Sequence, residues 1–384
     1  MVSLSRLTSS RPVRYGATAL WFGFLAYPFT DRLTAAAIAL ITGTMLAGWW
    51  AFRTEGARRL FSRAMARLSG LRTFTPAATA FLGTWWFRAA FILFLIVLPL
   101  FVNNYYRDIM TLTGMYVVLA LGLNLVVGQA GLLHLGYVAF YAVGAYTYAI
   151  LSTTLGLPFW PGLLVSALAS SLFAFLLGLP TLRLRGDYFA IVTLGLGEIT
   201  RIVLNNWDSL TNGPNGIGSI GRPAIGSFVF SSPIDFYYLI LAFAILTVAA
   251  MYRLISSRIG RAWMAIREDE VAAAAMGINT FRLKMLAFVI GSAWAGVVGA
   301  FFAAKMAFVS PESFTFFESV IILCMVVLGG MGSIPGIILG AVLLISLPEI
   351  FRGFADYRML AFGVAMVGMM VFRPQGLLGK GGTK

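Results

Sequence analysis

Two residue types that build metal and disulfide sites are almost absent from this sequence. Its 384 residues include one cysteine, Cys324, and one histidine, His134. A single cysteine excludes an internal disulfide framework, and a single histidine excludes a metal site made of several histidines. We therefore expect the protein to use neither a metal nor another cofactor.

Charged residues are also scarce. They make up 11% of the chain, whereas 60% of the residues are hydrophobic. Soluble domains carry about 25% charged residues, so this composition indicates an integral membrane protein. The long apolar runs favour membrane-spanning helices, because a β-barrel shows short alternating segments instead.

Signatures of nucleotide binding and catalysis are missing as well. The sequence contains no GxxxxGK[ST], which excludes a P-loop, and neither GxSxG nor HExxH. Residues 216–221, GIGSIG, fit GxGxxG. They lie in a predicted loop with no strand before them and no helix after them, so we treat the match as accidental. We predict no catalytic residues and no enzyme.

The hydrophobic runs predict an all-α polytopic protein of about twelve segments. Three segments lie in residues 1–102, which also hold a basic loop at 53–72, and nine lie in a core at 103–384. The nine core segments are predicted at 109–127, 130–153, 161–180, 188–205, 236–254, 285–304, 317–329, 336–350 and 357–372.

Basic residues predict the orientation of these segments. With the N-terminus inside, the loops at 1–15, 53–88, 181–187 and 253–284 and the C-terminal tail lie in the cytoplasm and hold most of the 28 lysines and arginines. Positive charge is enriched in cytoplasmic loops, so we predict that both termini are cytoplasmic. The basic residues retain loops on the cytoplasmic side and form no groove. We therefore expect the protein to contact membrane lipid and not to bind nucleic acid. The loop at 53–72 is interpreted as a retention loop, with a lipid-surface helix as the alternative.

Two stretches interrupt the helical pattern. Residues 206–235 form the longest external loop, and residues 329–336, GGMGSIPG, break a run that is too apolar for an ordinary loop. Irregular backbone at membrane depth is tolerated where it is buried in protein or lines a cavity. Broken helices of this kind are typical of transporters.

The densest charged segment of the chain runs from Ser256 to Lys284, and we call it the charged segment. Asp269 is predicted to cap a short helix whose N-terminal dipole favours Glu270, and Gly277 is predicted to end it. Thr280 is predicted to cap the next helix. A two-turn helix is marginal alone in water. It is therefore either a solvated loop helix or a docking helix for a soluble partner.

Polar residues inside predicted membrane helices are candidates for a functional role. Glu198 and Arg201 are spaced to form an ion pair on one helix face. The alternative is that they line a path, where a zwitterion could pair with each of them. Asn124 and Gln129 can hydrogen-bond between helices or to a substrate. His134 is interpreted as a core or pore-facing group, and Lys305 and Glu318 as snorkelling or loop residues.

The motif GRAW-AIREDE-A-A-GIN-FR-K in the charged segment resembles the cytoplasmic coupling loop of LivM-type permease subunits of branched-chain amino acid ABC importers. Three further stretches resemble the same family: LALGLNLVVGQAGLLHLGYVAFYAVGAY at 119–146, LRLRGDYFAIVTLGLGEITRIVLNN with NGPNGI at 182–217, and FVSPESFTFFES with VVLGGMGS and FRPQGLL at 308–378. Together they span roughly residues 110–380.

This resemblance implies the permease fold and partners of an ABC importer in the bacterial inner membrane. The implied partners are a homologous permease subunit, two ATP-binding cassette ATPases and a periplasmic binding protein. The residues implied to couple to the ATPases are Arg267, Glu268, Asp269, Glu270 and Gly277. Candidates for the translocation path are Asn124, Gln129, Glu198 and Arg201. An importer for urea or short amides remains the main alternative, followed by an ATP-independent channel and a membrane-embedded enzyme.

Overall fold

The computed structural model describes residues 92–184, 186–226, 228–350, 363 and 376–377. The chain divides into two units, Met1–Phe94 and Leu95–Lys384, and the description below concerns the second. The first two predicted membrane segments, the basic loop at 53–72 and nearly all of the segment predicted at 357–372 lie outside the described residues.

Helices make up most of this unit. In chain order they are α1 Asn104–Asn124, α2 Val138–Leu155, α3 Phe159–Thr181, α4 Asp187–Asn206, α5 Asp208–Thr211, α6 Pro233–Ser256, α7 Arg258–Glu268, α8 Glu270–Ala275, α9 Thr280–Met306, α10 Phe316–Gly329 and α11 Ile334–Ile350. A π-helical segment, Leu125–Gln129, continues α1. Short 3-10 turns occupy Leu98–Leu100, Gly213–Asn215 and Pro311–Phe314.

Six of the described stretches are long and apolar enough to cross a membrane. They are Asn104–Gln129, Val138–Leu155, Phe159–Thr181, Pro233–Ser256, Thr280–Met306 and Pro311–Gly329. The prediction of a polytopic helical membrane protein is therefore confirmed for this part of the chain. The break predicted at 329–336 is also present, because α10 ends at Gly329 and α11 begins at Ile334.

One predicted helix boundary is wrong. The segment predicted at 130–153 is helical only from Val138, and residues 130–137 form no helix. These eight residues are as apolar as a helix, so composition did not mark them. Their backbone is stabilised by side chains from distant helices, as described below.

Helix α9 lies at the centre and packs closely against α2 and α3. A Cβ placed on Gly144 of α2 would lie 2.4 Å from the Gly296 Cα of α9, and one placed on Gly299 would lie 2.3 Å from the Tyr141 carbonyl oxygen. Small residues at such crossings let two backbones approach and gain van der Waals contact, which is how helices associate in lipid. The glycines therefore set the spacing at the core of the bundle.

The long loop after α4 is anchored to the ends of the helices. It contains β1 Ile217–Gly218, β2 Ala224–Ile225 and β3 Phe228–Val229. β1 pairs antiparallel with β4, Phe308–Val309, and β2 pairs antiparallel with β3. The Tyr148 hydroxyl donates to the Gly221 carbonyl oxygen at 2.7 Å. These two-residue strands are a minor addition to a fold that is otherwise helical, as predicted.

Candidate functional site

The candidate site is a junction where three elements meet, and we call it the junction. The elements are the π-helical segment Leu125–Gln129, the C-terminal end of α7 and the break between α10 and α11. The predicted path residues Asn124 and Gln129 and the predicted coupling residue Arg267 all lie here. Sequence positions more than 200 residues apart are therefore brought together.

The break between α10 and α11 depends on glycine and on polar side chains from α1. Gly330 and Gly332 adopt φ of 106° and 87°, which strongly favours glycine because it has no Cβ. The Gly332 N–H donates to Asn124 Oδ1 at 2.9 Å, and Gln129 Nε2 donates to the Gly332 carbonyl at 3.3 Å. Both side chains are buried. In this conformation they satisfy backbone groups of the break, which non-helical backbone at membrane depth requires.

Arg267 connects the charged segment to the same place. Its Nη1 donates to the Gly128 carbonyl oxygen at 2.5 Å. Gly131 lies beside this side chain with φ of 73°, which favours glycine, and a Cβ there would lie in tight contact, 3.2 Å from Arg267 Cγ. Hydrogen bonds from charged donors are roughly twice as strong as neutral ones. Arg267 therefore fastens α7 to the end of α1 beside the break.

The charged segment contains two helices where the sequence predicted one. The additional helix, α7, is amphipathic and buries Trp263 and Ile266. Trp263 Nε1 donates to the Leu283 carbonyl oxygen in the first turn of α9 at 2.7 Å. The spacing of Gly260, Trp263 and Ile266 on one face is the signal that could have identified this helix.

The second helix, α8, begins and ends as the sequence predicts. Asp269 caps it by accepting from the Val271 and Ala272 N–H groups, and Gly277 follows it with φ of 84°. Glu270 pairs with Lys284 of α9 at 2.6 Å. The predicted cap of α9 is wrong by one residue: Asn279, not Thr280, accepts the Arg282 N–H.

Because the cap Asp269 and the first residue Glu270 both make internal contacts, the outward surface of α8 is mainly apolar. Met276 is 83% exposed and Val271 is 70% exposed. The exposed face of α8 consists of Val271, Ala272, Ala274, Ala275 and Met276. A contiguous apolar face on a charged loop is typical of an interaction surface.

The irregular segment 130–137 lies inside the bundle, where side chains from other helices hold it. The Leu135 N–H donates to Thr193 Oγ1 at 3.2 Å, and the Val138 N–H at the start of α2 donates to Ser319 Oγ at 2.9 Å. His134 lies on this segment, not on a helix, and is buried among the rings of Tyr137, Phe140, Phe189 and Phe288. It is a core residue in this conformation.

Three of the remaining predicted polar residues, Glu198, Arg201 and Lys305, form ion pairs. Arg201 Nε lies 2.9 Å from Glu198 Oε2, with about one third of each side chain exposed. This is the pair that their spacing predicts. Lys305, interpreted as a snorkelling or loop residue, has a side chain that is only 10% exposed, and its Nζ lies 3.1 Å from Asp108 Oδ1 of α1. It therefore links the far ends of α9 and α1.

The comparison with known proteins decides the family. Residues 105–372 match the family model described as "Branched-chain amino acid transport system / permease component". The chain belongs to this family. No solved structure shows a significant match to it.

Relatives of this branched-chain amino acid permease cover most of its length. It is 45% identical over 348 residues to the high-affinity branched-chain amino acid transport system permease protein LivM of Salmonella typhimurium, covering 84% of this chain and 81% of the relative. The LivM of Escherichia coli matches with the same identity and coverage. The permease protein LivH of Escherichia coli is 26% identical over 289 residues, covering 70% of this chain and 93% of the relative. The resemblance seen in the motifs is thus confirmed, and this permease is a multi-pass membrane protein.

Proposed function

We propose that this chain is the membrane-spanning permease subunit of an ATP-driven importer for branched-chain amino acids in the bacterial inner membrane. The 45% identity to LivM proteins supports the substrate class. LivH is named as a permease protein of the same kind of transport system, which supports a paralogous permease as the partner in the translocation path. A periplasmic binding protein would deliver the amino acid to the outer face.

The observation that carries the proposal is the construction of the charged segment. Its two helices are fixed to the membrane helices by Trp263, Arg267 and Glu270, while the exposed face of α8 remains uncovered. A solvated loop requires neither these contacts with the membrane helices nor an exposed apolar face. We propose that this face binds an ATP-binding cassette subunit on the cytoplasmic side, with both termini of the chain on that side.

In this mechanism the residues of the charged segment have different roles. Asp269 and Glu270 hold α8 in position, Gly277 ends it, and Glu268 is the exposed acid next to the ATPase. Arg267 carries the movement to the junction, where Asn124 and Gln129 hold the break. Two such ATPases would hydrolyse ATP and drive alternating access, so the permease itself would need no nucleotide site.

Glu198 and Arg201 are proposed to line the path, because intramembrane charges usually face a cavity or the bundle interior. The two side chains are already paired with each other, so a zwitterionic substrate would bind by replacing this ion pair with its own charged groups. Uptake at the wild-type rate in a variant carrying Glu198→Ala and Arg201→Ala would reduce them to a structural pair.

Gentle extraction from membranes, followed by mass spectrometry of the proteins that co-purify, tests the assignment. We expect a second permease and a P-loop ATPase, and we expect the reconstituted complex to import leucine. Recovery of a homo-oligomer without an ATPase would contradict the importer and favour an ATP-independent channel. Uptake that urea inhibits better than leucine would contradict the substrate class.

The exposed face of α8 provides a sharper prediction. The permease that carries Val271→Asp and Met276→Asp together should bind its ATPase at least about 100-fold more weakly, because each of the two apolar side chains buried in an interface contributes roughly 1.5–3 kcal/mol. The measurement is the amount of ATPase retained on the immobilised permease across a concentration series. Val229→Asp is the matched control, since Val229 is also exposed but lies in the loop after α4. Equal retention by both variants would show that α8 is not the docking surface.

A further inference from the structure

Glu318 is an acidic residue of a membrane-spanning helix that forms no ion pair with any cation in the part of the chain that the structure describes. It lies in the first turn of α10, and Oε2 accepts a hydrogen bond from the Tyr116 hydroxyl of α1. In the described part of the chain, no lysine or arginine forms an ion pair with it. Other acids of these helices do have partners: Asp108 has Lys305, Glu198 has Arg201, and Asp235 accepts from the Ser231 and Ser232 N–H groups.

A carboxylate in this setting is incompletely satisfied. Glu318 is only partly exposed, and the Tyr141 ring behind it is buried. A carboxylate can accept about four hydrogen bonds, and the tyrosine supplies one. A charge withdrawn from water without a counter-charge destabilises the protein. A cation that arrived at Glu318 would remove that penalty, so the site favours a positively charged ligand.

The position of the pair suits a transported ligand. Tyr116 is the thirteenth residue of α1, which places it about 18 Å along the helix at a rise of 1.5 Å per residue. This is near the middle of the membrane-spanning stretch Asn104–Gln129. Substrate sites of transporters lie near the bilayer midplane. Because Glu318 and Tyr116 are both partly exposed, a small molecule can reach the carboxylate.

The surroundings suit an aliphatic ligand. Behind the carboxylate, Tyr141 packs against Phe302 and Phe314 with ring centroids 5.6 and 5.0 Å apart, and the two phenylalanines are 5.8 Å from each other. Tyr141 and Phe314 are buried and Phe302 is the partly exposed ring of the three, so a ligand side chain would contact the cluster at Phe302. A compact cation that carries a branched hydrocarbon chain matches both the carboxylate and this ring.

We propose that the Glu318 carboxylate, with the Tyr116 hydroxyl beside it, binds the ammonium group of the amino acid as it crosses the membrane. This inference rests on the proposed function. Glu318 then acts as a binding residue midway along the path, and the Tyr116 hydroxyl orients the carboxylate toward the ligand. The ammonium group supplies the counter-charge, and the ligand side chain lies against Phe302 at the edge of the ring cluster.

The test uses the complete importer, reconstituted in vesicles with its binding protein and ATP, and measures leucine uptake. Glu318→Gln keeps the shape and the hydrogen bond with Tyr116 but removes the charge. We expect it to lower uptake about 10–100-fold, the range for a hydrogen bond to a charged group, while ATP hydrolysis stimulated by the binding protein persists. Glu312→Gln, an exposed acid just before the same helix, should import leucine normally. Uptake by Glu318→Gln within twofold of wild type would overturn the inference.

A binding measurement covers the case in which Glu318→Gln fails to assemble. Radiolabelled leucine bound to the solubilised wild-type complex should be displaced by 3-methylbutylamine, which keeps the ammonium group and the side chain. Tyr116→Phe, which removes only the hydroxyl, should weaken that displacement several-fold. Displacement by 4-methylpentanoate but not by the amine would overturn the inference. A wild-type complex that imports no leucine would instead contradict the proposed function.

Discussion

An importer carrying Arg267→Ala is expected to assemble with its ATPases and yet to lose most of its leucine uptake. The variant removes the hydrogen bond from Nη1 to the Gly128 carbonyl and leaves the exposed face of α8 unchanged. A hydrogen bond from a charged group contributes about 1.5–3 kcal/mol, which corresponds to roughly a 10–100-fold change. We expect binding-protein-stimulated ATP hydrolysis to fall by that factor, while the ATPase still co-purifies.

Arg261→Ala is the matched control for this prediction. Arg261 belongs to the same helix and carries the same charge, but its Nη1 donates to the Ser256 carbonyl within the charged segment. This bond joins α7 only to the adjacent end of α6 and makes no connection to α1 or to the break, so stimulated hydrolysis should stay within about twofold of wild type. Equal losses in the two variants would mean that positive charge, not the bond to Gly128, is what coupling requires. Arg267→Ala with wild-type uptake would remove Arg267 from the mechanism.

Gly144→Leu is expected to prevent the permease from accumulating in folded form. A Cβ at this position would lie 2.4 Å from the Gly296 Cα and 2.5 Å from the Gly296 carbonyl oxygen. Both atoms belong to the backbone of α9, so a rotamer change cannot relieve the contact and α2 must move away. Overpacking of a well-packed core commonly lowers stability by about 1–3 kcal/mol and occasionally by more, and we expect the larger effect here because backbone atoms cannot move aside. Thermal unfolding of the detergent-extracted subunit, with its yield, measures the effect.

Gly195→Leu is the matched control, because it makes the same change of residue at a position without a close backbone contact. Gly195 lies in α4, and a Cβ there has no heavy atom within 4 Å. Substitutions at such open positions usually change stability by less than about 0.5 kcal/mol. The two variants should therefore differ clearly in unfolding temperature and yield. Similar stability in both would show that α2 and α9 do not depend on their close approach.

Local chemistry allowed several features to be predicted from the sequence. The break after Gly329, the capping by Asp269 and the end of α8 before Gly277 each depend on residues within a few positions of one another. The pairing of Glu198 with Arg201 follows from helix geometry alone. The motifs in the charged segment also led to the correct family.

Long-range contacts explain what could not be predicted. Residues 130–137 look helical by composition, but the hydroxyls of Thr193 and Ser319 satisfy the Leu135 and Val138 N–H groups. The family resemblance and the charge cluster indicate Arg267 for coupling, but its acceptor is the Gly128 backbone carbonyl, which no residue type reveals. The sequence predicts Glu318 as a snorkelling or loop residue, because nothing near it in sequence indicates the hydrogen bond with Tyr116 of α1.

The connections of α9 determine how a displacement would travel through the bundle. Helices α1 and α9 are joined at one end by Lys305 and Asp108, and at the other end through α7, by Trp263 and Arg267. Two helices that are joined at both ends can tilt together more easily than they can separate. The 27 residues of α9 form a lever about 40 Å long. A tilt of about 5° would therefore shift its far end by about 3.5 Å, and α1 would move with it.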